Sequence, residues 1–162
     1  MINSLRRWYK RFRHTAITIF NYFRGYEKLR LPDEIENPKP TDFEMIWAKR
    51  LGNKLYRIEN VPFSNQLNLH DVVRCQDFPD DFPLIIEIVS RSGNRTLRVE
   101  FKEETTAENA VDVIMELKAK KVFYERAGRR IYNFNVEPSV NFESIQEFLK
   151  SKETEGLLWL YE

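Results

Sequence analysis

Residues Leu97-Arg98-Val99-Glu100-Phe101-Lys102 alternate apolar and charged side chains without a break. A period of two places successive side chains on opposite faces, so this stretch predicts a strand with one dry and one wet face. Beyond Lys102 the period changes. Thr105 and Glu108 are spaced as a capping box, and Ala107, Ala110, Val111, Ile114 and Leu117 supply a helical stripe. Val122 to Glu125 and Arg130 to Val136 flank a turn at Gly128. Asn141 then opens a second helix carrying Phe142, Ile145, Phe148 and Leu149, which Gly156 ends. Leu157 to Tyr161 closes the series as a strand. The order β-α-β-β-α-β predicts a ferredoxin-like unit over 96–162, with both helices on one face of a four-stranded sheet.

The first half lacks helical periodicity. Met45 to Arg50, a Gly52-Asn53 turn and Lys54 to Ile58 read as a hairpin. Asp71 to Cys75 and Leu84 to Ser90 read as two more strands around the loop Phe78-Pro79-Asp80-Asp81-Phe82-Pro83. A small antiparallel β-barrel-like subdomain is expected over 42–95. Before it, residues 31–41 carry Pro32, Pro38 and Pro40, which exclude a helix and predict an extended linker. Residues 1–30 read as an amphipathic helix: Leu5, Trp8, Tyr9, Phe12, Ala16, Ile19, Phe20 and Phe23 share a stripe, and Arg6, Arg7, Lys10, Arg11 and Arg13 face away. The expected fold class is therefore α+β: an N-terminal amphipathic helix, the barrel-like subdomain, then the ferredoxin-like unit.

Charge divides the chain the same way. Eight basic residues stand against Glu27 alone in 1–30, a net of +7, which leaves 18 basic and 24 acidic residues in 31–162, a net of −6. An acidic body disfavours nucleic acid, whose phosphates need positive surface, and favours a cationic protein ligand. Tyr132 and Phe134 share a strand face where an RNA-stacking sheet would carry aromatics, but the acidic body and the missing glycine-aromatic octamer favour core packing. The basic head suits a neighbouring face, a partner groove or an anionic membrane surface, with Arg6, Arg7, Trp8, Lys10, Arg11 and Phe12 as its contact residues. Its uncharged run, Thr15 to Phe23, is well short of the ~18 residues of a membrane span.

Residues for chemistry are few. Two histidines, His14 and His70, and one cysteine, Cys75, make neither a zinc set nor an internal disulfide. The carboxylates cluster only as Asp80-Asp81, Glu103-Glu104 and Asp33 to Glu36, where neighbours diverge rather than converge on one atom. The five glycines are scattered, and no serine lies in a nucleophile elbow. No catalytic residue, metal ligand or cofactor is expected.

Three strings carry a family resemblance: Asn60-Val61-Pro62-Phe63; Asp71-Val72-Val73; and Ser92-Gly93-Asn94-Arg95-Thr96-Leu97-Arg98-Val99. Over roughly residues 43 to 162 the chain resembles a bacterial domain-of-unknown-function family with this signature, members of which often carry histidine where Asn94 stands. Small proteins of this look are similar to toxin-immunity proteins. The resemblance implies a cytoplasmic protein that binds a cognate toxin, such as a basic nuclease, by occluding its active site. The contact expected from the residues is Phe78, Asp80, Asp81 and Phe82, where prolines limit loop freedom and offer charge beside apolar surface. The alternative is a peripheral membrane adaptor anchored by residues 1–30.

Overall fold

The computed structural model describes residues 25–36, 43–79 and 81–161. Five strands, β1 (Tyr26–Pro32), β2 (Phe43–Gly52), β3 (Leu55–Ile58), β4 (Val72–Phe78) and β5 (Asp81–Ser90), form a closed barrel in sequence order. Neighbours pair antiparallel, and the barrel closes through a parallel contact of β1 with β5 at Arg30 and Leu84. Inward alternation fills it with Leu29, Leu31, Ile46, Ala48, Tyr56, Ile58, Val73, Cys75 and Ile85.

The second layer comprises β6 (Arg95–Phe101), helix α1 (Ala107–Ala119), β7 (Phe123–Ala127), β8 (Ile131–Val136), helix α2 (Phe142–Thr154) and β9 (Leu158–Tyr161). Its strands lie in the order β7-β8-β6-β9, all antiparallel. Leu97, Val99, Phe101, Tyr132 and Phe134 pack with Val113, Ile114 and Leu117 of α1 and Ile145 and Leu149 of α2. Tyr132 and Phe134 thus belong to the core, which removes them as a stacking platform. Asn141 caps α2 by accepting from Ser144 N at 2.9 Å. The cap of α1 is Thr106, not Thr105: Thr106 Oγ1 accepts from Asn109 N, while Thr105 turns its hydroxyl to Leu157 O.

The α+β expectation is overturned. With nine strands in two sheets and two 13-residue helices confined to 107–154, the described residues are mostly β, and a ferredoxin-like label does not describe such a chain. The head helix expected over 1–30 fails where it can be seen. Gly25 takes φ 77°, and Lys28-Leu29-Arg30-Leu31 then alternates with a strand's period, burying Leu29 and Leu31 in the barrel. Residues 1–24 lie outside the described ones. The barrel consequently starts at Tyr26 rather than 42, and its closure is parallel rather than wholly antiparallel. Of the expected linker, Leu31 and Pro32 are strand residues, and buried Ile35 donates its N–H to Gln66 Oε1 at 2.8 Å.

Candidate protein-binding site

Strands β4 and β5 run into a hairpin whose last pair is Phe78 and Asp81. The parallel closure brings Arg30 of β1 beside this tip. Its Nη1 pairs with Asp81 Oδ2 at 2.5 Å, its Nε donates to Phe82 O at 2.9 Å, and its guanidinium lies over the rings of Phe43 at 5.0 Å and Phe78 at 4.9 Å. Asp81 Oδ1 also accepts from Phe82 N at 2.7 Å. An exposed ion pair alone contributes little. Here the guanidinium is mostly covered, and the hydrogen bonds and ring contacts converge on one planar group, so the tip is held in one geometry. Phe78 and Phe82 remain 39% and 44% exposed, with Met45, the cross-strand partner of Arg30, open beside them.

Three of the four expected contact residues therefore meet at one point. Asp80 is outside the described residues, as are Arg6, Arg7, Trp8, Lys10, Arg11 and Phe12. Sequence reasoning misses Arg30 because it places that residue in the head helix; the alternation of residues 28 to 31 is the signal that could find it. His70 and Cys75 do not form a pair. His70 is exposed at a turn with φ 67°, whereas Cys75 points into the barrel, where burial, with Asp77 and Glu27 adding, pushes its thiol up to about 12. We expect Cys75 to resist alkylation in the native protein at pH 8 and to label fully on unfolding, as read by mass spectrometry. Rapid native labelling would mean that the barrel opens.

The signature residues converge elsewhere, at the junction of barrel and second sheet. Asp71, fully buried, accepts from Asn68 N at 3.0 Å, Ser92 N at 2.8 Å, Ser92 Oγ at 3.0 Å and Arg91 Nη1 at 3.0 Å. Asn94 Nδ2 donates to Leu69 O at 2.8 Å, and Thr96 Oγ1 bonds Asn68 Oδ1 at 3.0 Å. Asn60 Oδ1 accepts from Trp47 N at 2.7 Å, and Arg98 lies over the Phe63 ring at 5.7 Å. Gly93 has φ 83°, a backbone angle that favours glycine, and a Cβ there would sit tightly, 3.1 Å from Pro138 Cγ. These residues fasten one layer to the other, a structural task. Among the described residues no group of three or more His, Cys, Asp or Glu side chains is placed to hold a metal. A shallow open depression of about 460 Å³ beside Arg95 and Pro138 is lined by none of the expected contact residues. No described helix is long and apolar enough to cross a membrane.

Residues 44–160 match the family model of a domain of unknown function, DUF4265. A solved crystal structure of a hypothetical protein from Neisseria gonorrhoeae is similar, with a TM-score of 0.68 and 18% identity over 84% of this chain and 92% of that chain. At that identity the likeness is one of fold. No curated protein matches. The toxin-inhibitor and immunity labels expected from the sequence are corrected accordingly: the family's function is unknown, and no match carries either description.

Proposed function

We propose a protein-binding role for this protein, which belongs to the DUF4265 family, with the β4–β5 hairpin tip as its point of contact. The observation that carries this reading is the exposure of Phe78 and Phe82 on a tip pinned by Arg30. Aromatic side chains and arginine dominate binding energy at protein interfaces, and a tip already held in place loses little freedom on docking. The acidic balance of residues 31–162 favours a partner with a basic contact surface, since complementary charge speeds encounter.

A photo-crosslinking residue placed at Phe78 in the full chain, inside the native cell, tests the reading. The expected result is a discrete protein adduct from position 78 that is absent from position 111, where Val111 is 54% exposed on helix α1 of the second layer. Identical adducts from both positions, or none from 78, would remove the hairpin from consideration. Co-sedimentation with anionic vesicles separates this role from the membrane-surface alternative for residues 1–30, which predicts binding to lipid without any protein present.

A further inference from the structure

Two fully buried side-chain oxygens, Asn133 Oδ1 and Asn135 Oδ1, have no hydrogen-bond partner among the described residues. An orphaned buried acceptor is costly, so each calls for an explanation. The orientation of the first amide is fixed, because Asn133 Nδ2 donates to Pro62 O at 2.9 Å and a flipped amide would set oxygen against oxygen. Directly opposite Asn133 in the β7–β8 ladder stands Glu125. Side chains of such a pair leave the backbone about 5 Å apart, within reach of a carboxyl and an amide.

The remaining neighbours of Glu125 come from the barrel side. The Val61 N–H and the Asn60 side chain lie toward its carboxyl and favour its ionised form. Because Asn60 Oδ1 already accepts from Trp47 N, it is the Asn60 amide nitrogen that faces Glu125. Glu44 of β2 adds a like charge, its own oxygens taking Phe63 N at 2.8 Å and Ser64 N at 2.9 Å. On β6, Arg98 follows Asn133 in the same cross-strand row and leans over Phe63. An ionised Glu125 is an acceptor only and leaves Asn133 Oδ1 unpaired, whereas a protonated one supplies the missing O–H.

We propose that Glu125 donates a hydrogen bond from its protonated carboxyl to Asn133 Oδ1 in the folded protein, making this cross-strand pair a proton-operated latch in the second sheet, at the point where Asn133 Nδ2 holds Pro62 of the barrel's β3–β4 loop. Burial acts in the same direction. It raises the Glu125 carboxyl above its ordinary 4.5, the Val61 N–H and the Asn60 side chain oppose the rise, and Glu44 adds to it. With the folded-state value above the unfolded one, the folded protein holds the extra proton. The latch's contribution is then complete below the unfolded value and is lost as pH rises through the folded one.

The test is a carboxyl NMR titration of Glu125 in the full chain, together with melting curves from pH 4 to 8 for wild type, Glu125→Gln and Asn133→Leu. The Glu125 midpoint is expected above 4.5 in wild type and closer to 4.5 in Asn133→Leu. Glu125→Gln, whose amide N–H can serve the same oxygen without titrating, is expected to melt higher than wild type at pH 8, with the difference shrinking toward pH 4. Should Asn133→Leu fail to fold, the wild-type midpoint and the glutamine variant still decide. A wild-type midpoint at or below 4.5, or a glutamine variant melting below wild type at pH 8, overturns the latch and assigns the orphaned oxygen to a buried water.

Discussion

Replacing Phe78 and Phe82 together with serine is expected to weaken partner binding by about 100-fold or more, while the melting temperature falls by about 5–12 °C. The two effects are read separately because the residues, 39% and 44% exposed in the free protein, still offer a partner surface that folding has not covered. Folding withdraws somewhat more than half of each residue's surface from water, worth roughly 1 kcal/mol per side chain, and the contact of the Phe78 ring with Arg30 adds about 0.5–1 kcal/mol. In a chain of this size each kcal/mol moves the melting temperature by about 2–4 °C. On binding, the same rings become anchors. Truncating an interface anchor costs roughly 2 kcal/mol or more, and about 1.4 kcal/mol is tenfold in affinity, so even strongly non-additive losses reach two decades. Calorimetry against the crosslinked partner, with melting curves in parallel, reads both quantities. A loss of less than about threefold in affinity would exclude the tip from the interface.

Asp71→Ala is expected to lower the melting temperature by about 10 °C, far beyond the effect of any exposed carboxylate. The side chain is fully buried and accepts from two backbone N–H groups, a hydroxyl and a guanidinium. Alanine leaves the Asn68 and Ser92 N–H groups without an acceptor inside the junction and strips Arg91 of its counter-ion. Arg91 is half exposed and water can solvate it, so the loss falls mainly on the two buried N–H groups, roughly 1–3 kcal/mol each, which at about 2–4 °C per kcal/mol gives a shift of this size. Asp71→Asn is expected to recover only part of it. One amide oxygen can serve Ser92, but the amide nitrogen then meets the Asn68 N–H donor to donor. Thermal unfolding followed by circular dichroism measures both variants. An alanine variant melting within about 2 °C of wild type would show that the junction is held by apolar packing alone.

The two sites differed in how far the sequence exposed them. The tip was legible as a proline-bounded loop with paired phenylalanines and aspartates, but its fastening was not. Arg30 and Asp81 are 51 residues apart, and no local pattern joins them. At the junction, the strings around Asn60, Asp71 and Ser92 stood out as a signature without revealing a common address. Asn133 reaches Pro62 across 71 residues, and nothing in Tyr132-Asn133-Phe134-Asn135-Val136 beyond its alternation announces two asparagines in the interior.

By itself the sequence determined what local backbone physics decides. The alternation of Leu97 to Lys102 made β6, Asn141 capped α2, and Gly52-Asn53 turned β2 into β3, because each depends on neighbours within a few residues. Tertiary structure alone decided what covers each face. The period of two in residues 28 to 31, expected as helix and linker, sets Leu29 and Leu31 opposite Lys28 and Arg30, yet only the parallel closure onto Leu84 made one face barrel core and set Arg30 beneath the hairpin. Likewise, the polar face of β8 became buried only when the loop carrying Asn60 to Asp71 folded against it. A period fixes the direction in which a side chain points; its surroundings are supplied by chain dozens of residues away, where the winning arrangement is set by the summed burial and hydrogen bonding of both layers.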